Sequence, residues 1–255
     1  MGNQVEPSLN AFAITFEGRI VPAQQRDRSR SVTPVIGCFW KERVMTATDG
    51  QPGGNHNNQR FQGVSGLALA AKMSVGRGAI SRLVADLADV GPGDRVLDIG
   101  CGPGGAVREA ARRGAAVTGV DPAPLMLRVG RDLSRRRIRQ KIVFVHGTAE
   151  TLPLSDRTVT IAWAISSAHH WADVPAAFRE LRRVLEPGGR LIIAEKLVRP
   201  GARGRAAHGF TQAQAAEIAA AAQSAGFADV WRDTRRAGRR TLTLVIARHP
   251  DGEPE

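Results

Sequence analysis

The run Arg95-Val96-Leu97-Asp98-Ile99-Gly100-Cys101-Gly102-Pro103-Gly104-Gly105 constrains this chain more than any other stretch. Its first five residues form a short apolar strand holding a single carboxylate. A glycine cluster follows, and residues 106–113 then take up helical spacing, closed by Gly114. A strand that turns through glycines straight into a helix is one half of a strand–helix–strand unit. Glycines at such a turn let the backbone reverse tightly and let a ligand approach the main chain. Gly100-x-Gly102-x-x-Gly105 also fits the dinucleotide fingerprint, so the glycines alone do not select a ligand.

The remainder of the body alternates in the same way. Strands are expected at 95–99, 116–120, 142–145, 158–165 and 190–194. Helices are expected at 67–73, 79–87, 106–113, 125–136, 174–185 and 211–225, the last with a capping box at Thr211 and Gln214. Pro187-Gly188-Gly189 reads as the stop after the helix at 174–185. Two strand-like runs, 228–234 and 241–247, close the body as a hairpin, with residues 235–240 as the turn. Such alternation across short loops predicts an α/β fold with a doubly wound, mostly parallel seven-stranded sheet and a C-terminal antiparallel hairpin.

Residues 1–60 read differently. They carry Pro7, Pro22, Pro34 and Pro52, polar runs, and no sustained helical or strand period, so a disordered leader is expected there. Met45 is an alternative start, which leaves 1–44 as a disordered arm or an upstream extension. The apolar trio Cys38-Phe39-Trp40 stands alone in it. One folded domain is expected over 61–250, with 251–255 as a tail. No uncharged stretch approaches the about 20 apolar residues of a membrane span. Two distant cysteines, Cys38 and Cys101, make a disulfide framework and a four-ligand zinc site poor expectations, and no metal is expected. A reducing, cytoplasmic setting follows.

Two acidic residues and the closing hairpin narrow the ligand class. Asp98 precedes the first glycine by two residues, where a phosphate loop gains nothing from negative charge and a cationic ligand does. Asp121 ends the next strand, where it can accept hydrogen bonds from two ribose hydroxyls. A terminal hairpin is not what a second mononucleotide-binding half looks like, which disfavours a nicotinamide-dependent oxidoreductase.

On these residues the sequence resembles the class I S-adenosylmethionine-dependent methyltransferases, in the small-molecule branch that includes ubiquinone and menaquinone biosynthesis enzymes. The resemblance covers about residues 63–248. Besides the glycine motif it rests on Val120-Asp121, on Gly147-Thr148-Ala149-Glu150-Thr151-Leu152-Pro153-Leu154, and on Arg179-Glu180-Leu181 through Leu185-Glu186-Pro187-Gly188-Gly189-Arg190-Leu191. It implies S-adenosylmethionine as cofactor and a small-molecule methyl acceptor. It further implies that Gly100, Cys101, Gly102 and Gly104 shape the loop around the methionine part and ribose, with Asp98 near the methionyl ammonium. Asp121 would hold the ribose, Pro122 and Ala123 the adenine face, and Ala149 and Glu150 the adenine edge. Ser166 and Ser167 would lie near the sulfonium and the methionine carboxylate. Thr148 replaces the acidic residue common in the family, so adenine would be held mainly by backbone groups.

His169 and His170, within a His-His-Trp run just past the fourth strand, are the candidates for a base or a substrate contact. His146 reads as structural. His208 falls in a glycine-rich linker that assigns it no partner. The segment 61–77 is the candidate cover for the acceptor.

Charge bears on a rival class. Basic residues number 36 against 24 acidic, a net charge of +12, and only four of the 36 are lysines. An arginine skew with many Ala and Gly is what a GC-rich coding genome produces. The competing reading is a polyanion-binding face built from Arg128, Arg131, Arg135, Arg136, Arg137, Arg139 and Lys141, and from Arg232, Arg235, Arg236, Arg239 and Arg240. That reading describes a non-catalytic cofactor-binding protein using basic faces to hold nucleic acid or partners. The clusters lack interleaved aromatics and the chain has no Tyr, which disfavours nucleic acid.

Overall fold

The computed structural model describes residues 78–252 except 135 and 140, together with strands β1 (Ala13–Ile14) and β2 (Ile20–Val21). The chain divides into two units, Met1–Phe39 and Trp40–Glu255. In the first, β1 and β2 pair antiparallel. The rest of the expected leader, the 38–40 trio, Met45, the helix at 67–73 and the cover at 61–77 lie outside the described residues.

In chain order the second unit holds α1 (Gly78–Leu87), β3 (Arg95–Ile99), α2 (Gly105–Arg112), β4 (Ala116–Asp121), α3 (Pro124–Leu133), α4 (Arg136–Arg139) and β5 (Ile142–His146). Then come β6 (Val159–Ile165), α5 (Val174–Val184), β7 (Leu185–Lys196), α6 (Gln212–Ser224), β8 (Ala228–Ala237) and β9 (Arg240–Arg248). Seven strands form one sheet in the order β5-β4-β3-β6-β7-β9-β8. Strands β3 to β7 run parallel, and β9 lies antiparallel between β7 and β8. The expected doubly wound sheet with a terminal hairpin is therefore present. The chain leaves β3 toward β4 and β5, then returns to β6 on the other side. The carboxyl ends of β3 and β6 thus flank a topological switch point, where sheets of this kind bind ligands.

Alternation along β3 divides its side chains between the two faces. Leu97 and Ile99 join one buried cluster with Phe178 and Leu181 of α5 and Ala215 and Ile218 of α6. Val96 and Asp98 take the opposite face, where Asp98 meets the Val107 amide of α2. Trp163 of β6 is fully buried. No described helix is long and apolar enough to cross a membrane.

Three local expectations are corrected. Pro187-Gly188-Gly189 is not a stop before a strand at Arg190, because β7 already begins at Leu185. Leu185 pairs with Val159 and Arg190 with Ile161, so the residues between bulge outward. The chain end supplies their partners: Gly188 N–H donates to His249 O at 3.2 Å and His249 N–H to Gly189 O at 2.7 Å. Likewise, residues 235–240 are not a loop. Ala237 pairs with Arg240, leaving Gly238 and Arg239 as a two-residue turn, with Gly238 at φ +58°. Finally, the helix expected at 125–136 breaks at Ser134. The Ser134 hydroxyl donates to Gly130 O at 2.8 Å while its backbone turns extended, and a separate short α4 follows.

Candidate functional site

The glycine loop is held by backbone bonds at the end of β4. Gly100 and Cys101 N–H both donate to Val120 O, at 2.8 and 3.0 Å, and Gly104 N–H donates to Cys101 O at 3.0 Å. Gly100, Gly102 and Gly104 sit at φ +67°, +53° and +75°, in the left-handed region that disfavours side chains. At Gly100 the space is closed as well, since a Cβ there would overlap Ser167. Ser167 is buried, and its hydroxyl donates to Ile99 O at 2.6 Å, tying the chain after β6 to the end of β3. Among the described residues no side chain caps α2, so its first amides remain available to water or to an anionic group.

Asp121 pins this loop to the next one. Its Oδ2 accepts from Gly102 N–H at 2.8 Å and its Oδ1 from Ala123 N–H at 2.9 Å. Each oxygen keeps a lone pair for a further donor. Burial raises the Asp121 carboxyl, and the Ala123 and Gly102 amides pull it back down. Asp98 is 2% exposed. Burial, reinforced by the charge of Asp121, pushes its carboxyl up to about 8 against the pull of Trp163 and Val107. Asp98 and Asp121 form no ion pair with Lys or Arg among the described residues. Cys101 is a free, buried thiol raised by the same burial.

The remaining expected residues divide. Pro122 is exposed beside Asp121, and its carbonyl meets His146 Nε2 at 3.1 Å. Ala123 packs against Met126. Ala149 is buried in the main core, and the Glu150 carboxylate accepts from Ala172 N–H at 2.8 Å and Asp173 N–H at 3.4 Å. Glu150 thus ties the third-motif loop to the chain ahead of α5. Ser166 adopts φ +55°, and its N–H donates to Ala194 O at 2.8 Å.

Past Ser167 a 3₁₀ turn, Ala168–His170, carries both histidines. His169 Nδ1 lies 2.9 Å from Glu195 Oε2, and its backbone N–H donates to Glu195 Oε1 at 3.3 Å. Glu195 is fully buried near the carboxyl end of β7. An Nδ1–H given to a carboxylate leaves the Nε2 lone pair free. That Nε2 is buried and makes no hydrogen bond among the described residues. His208, between β7 and α6, joins the pair, with ring centroids 5.5 Å from His169 and 5.8 Å from His170. Burial, then the neighbouring His169 and His208, bring His170 down to about 4, so its ring is neutral at physiological pH.

Glu195 and His208 are the residues that sequence reading missed. A lone carboxylate in the apolar run Leu191–Glu195 was a readable signal for the first. Nothing local marked the second.

Residues 97–193 match the family model of a methyltransferase domain. The chain is 36% identical over 131 residues to the 27-O-demethylrifamycin SV methyltransferase of Amycolatopsis mediterranei (strain S699), covering 49% of this chain and 48% of that one. It is 34% identical over 114 residues to the demethylmenaquinone methyltransferase of Tropheryma whipplei (strain Twist), covering 45% and 46%. The chain spans about half the length of the curated relatives it matches. Among solved structures, a SAM-dependent methyltransferase from Aquifex aeolicus superposes with a TM-score of 0.61 at 18% identity, covering 71% of this chain and 97% of that one. The [4+2]-cyclase SpnF superposes with a TM-score of 0.59 at 22% identity, covering 69% and 82%. These likenesses establish the fold, which by itself does not choose a reaction.

Proposed function

We propose that this chain is a class I S-adenosylmethionine-dependent methyltransferase that methylates a small, hydrophobic metabolite in a reducing, cytoplasmic setting, a reading supported by the methyltransferase-domain match over residues 97–193 and by curated relatives matched over about half their length. The observation that carries the reading is the pair of buried carboxylates, Asp98 and Asp121, flanking a bare glycine loop at the switch point with no Lys or Arg ion-paired to either among the described residues. A dinucleotide would bring a pyrophosphate against two acids, whereas a ligand with an ammonium, a sulfonium and a ribose diol suits both.

S-adenosylmethionine supplies a methyl group already activated on sulfur, so the protein's tasks are alignment and exclusion of water. Asp121 holds the ribose hydroxyls with the lone pairs its backbone partners leave. Asp98 lies on the methionyl side, and Gly100 to Gly104 let that chain lie against the backbone. Pro122 and Ala123 flank the adenine. Ser166 and Ser167 set the floor between the loop and the histidines. His169, oriented by Glu195, faces the acceptor together with His170.

Calorimetry on the full chain tests this. S-adenosylhomocysteine should bind, and Asp121→Ala should weaken it about 10- to 150-fold, the loss of charged hydrogen bonds worth about 1.5–3 kcal/mol. Binding of a nicotinamide dinucleotide without either sulfur ligand would overturn the assignment. Turnover of S-adenosylmethionine with any acceptor would exclude the non-catalytic reading.

A further inference from the structure

Three imidazoles from two distant parts of the chain meet at the carboxyl end of the sheet. Among the described residues, His169, His170 and His208 each bring a ring nitrogen within 4.8 Å of the other two. The His169 and His170 rings lie 4.0 Å apart between centroids. His169 Nε2, buried and without a hydrogen-bond partner among the described residues, is a polar atom whose desolvation those residues leave uncompensated. Glu195 adds the second feature of a metal-binding imidazole, a carboxylate accepting the opposite ring N–H, which fixes the tautomer and strengthens the nitrogen as a ligand. The cluster contains no carboxylate ligand of its own, so the donor set is wholly nitrogen. That excludes the oxygen-seeking calcium and magnesium and suits zinc-class divalent ions.

We propose that His169, His170 and His208 form a three-nitrogen site for a divalent transition metal of the zinc class, with Glu195 orienting His169. Three protein ligands leave a fourth position open, the arrangement of a reactive rather than a purely structural site. The site adjoins the Ser166–Ser167 floor, on the side where the acceptor stands. Resting on the methyl-transfer reading above, the inference also specifies the acceptor as one that presents a hydroxyl. Ligation lowers the pKa of that oxygen, as it lowers that of bound water. The proton leaves to solvent, and the oxygen forms its bond to the methyl carbon as the carbon–sulfur bond breaks and the sulfonium becomes a neutral thioether. His169 is then a ligand and not a base, since one lone pair on Nε2 cannot serve both purposes.

The test is a titration of the full chain, purified without a polyhistidine tag and stripped with chelator, with Co²⁺ followed by visible absorption. One equivalent should bind with the intense bands of low coordination number, and Zn²⁺ should displace it. His208→Ala, an exposed position, should weaken Co²⁺ at least about 100-fold. Glu195→Gln should weaken it about 10- to 100-fold, while His146→Ala leaves it unchanged. The proposal is overturned if the full chain binds no Co²⁺, or if His208→Ala binds it as tightly. Calorimetry with S-adenosylhomocysteine on the same samples separates the two readings. Retained S-adenosylhomocysteine binding without Co²⁺ binding rejects the metal site alone, and Co²⁺ binding without S-adenosylhomocysteine rejects the cofactor assignment alone.

Discussion

At the scale of single residues, the site depends on groups in costly states. Asp98 is the clearest. The unfolded chain releases this proton near 3.8 and the folded chain near about 8. Between those values the folded state holds one more proton, so its contribution to stability falls as pH rises and levels off above about pH 8. Asp98→Asn keeps the shape of the neutral acid and removes the titration. The difference in thermal midpoint, wild type minus variant, should therefore fall between about pH 5 and pH 8 and then flatten; parallel profiles would contradict the assignment. Gly100 is the steric counterpart. With φ at +67° and Ser167 where a Cβ would go, Gly100→Ala combines backbone strain with overlap against a side chain tied to Ile99 O. A loss of at least about 2 kcal/mol in urea unfolding is expected, and a loss below about 0.5 kcal/mol would show that the loop relaxes freely.

At the scale of elements, one arginine joins α5 to the third-motif loop. Arg183 donates to both oxygens of Glu180 at 2.8 Å, to Leu154 O and Asp156 Oδ1 at 2.7 Å, and to Leu152 O at 3.0 Å. Glu180 in turn accepts Leu152 N–H at 2.7 Å. Lysine cannot reproduce that fork. Arg183→Lys should cost about 1–2 kcal/mol, a fall of roughly 2–8 °C in Tm, and an unchanged scanning-calorimetry midpoint would refute the role. Cap and turn chemistry at this scale was readable in advance. Thr211 N–H and Gln214 N–H exchange the reciprocal capping bonds with the Gln214 and Thr211 side chains at 2.9 and 3.2 Å. The bulge at Pro187-Gly188-Gly189 was not, because its partners His249 and Pro250 are strands away in sequence.

At the scale of the whole molecule, the net charge of +12 suggested a polyanion surface. Many of the arginines have work within the fold. Arg95 pairs with Glu186, Arg113 with Asp86, Arg190 with Asp94 and Arg235 with Asp233. Others serve carbonyls: Arg131 donates to Phe144 O at 2.8 Å and Arg232 to Gln212 O at 3.2 Å, and Lys141 donates to Gly114 O at 3.0 Å. Duplex DNA should bind no tighter than the roughly 10⁻⁴ to 10⁻⁶ M of non-specific association, and lose that affinity as salt rises. Submicromolar binding by fluorescence anisotropy that survives about 200 mM salt would restore the basic faces as a functional surface.

Legible in the residues alone were the strand–glycine–helix unit, the succession of seven strands along the chain, and the placing of Asp98 and Asp121 at consecutive strand ends. These are local properties: side-chain period, glycine at forced turns, and a carboxylate counted along one strand. Three-dimensional packing alone inserts β9 between β7 and β8, turns Glu150 to the amides of Ala172 and Asp173, and sets Glu195 against His169. It alone brought His208 to His169 and His170. Those neighbours come from strand order and register, which place side chains from separate loops at one sheet edge, and no spacing within either loop encodes the other.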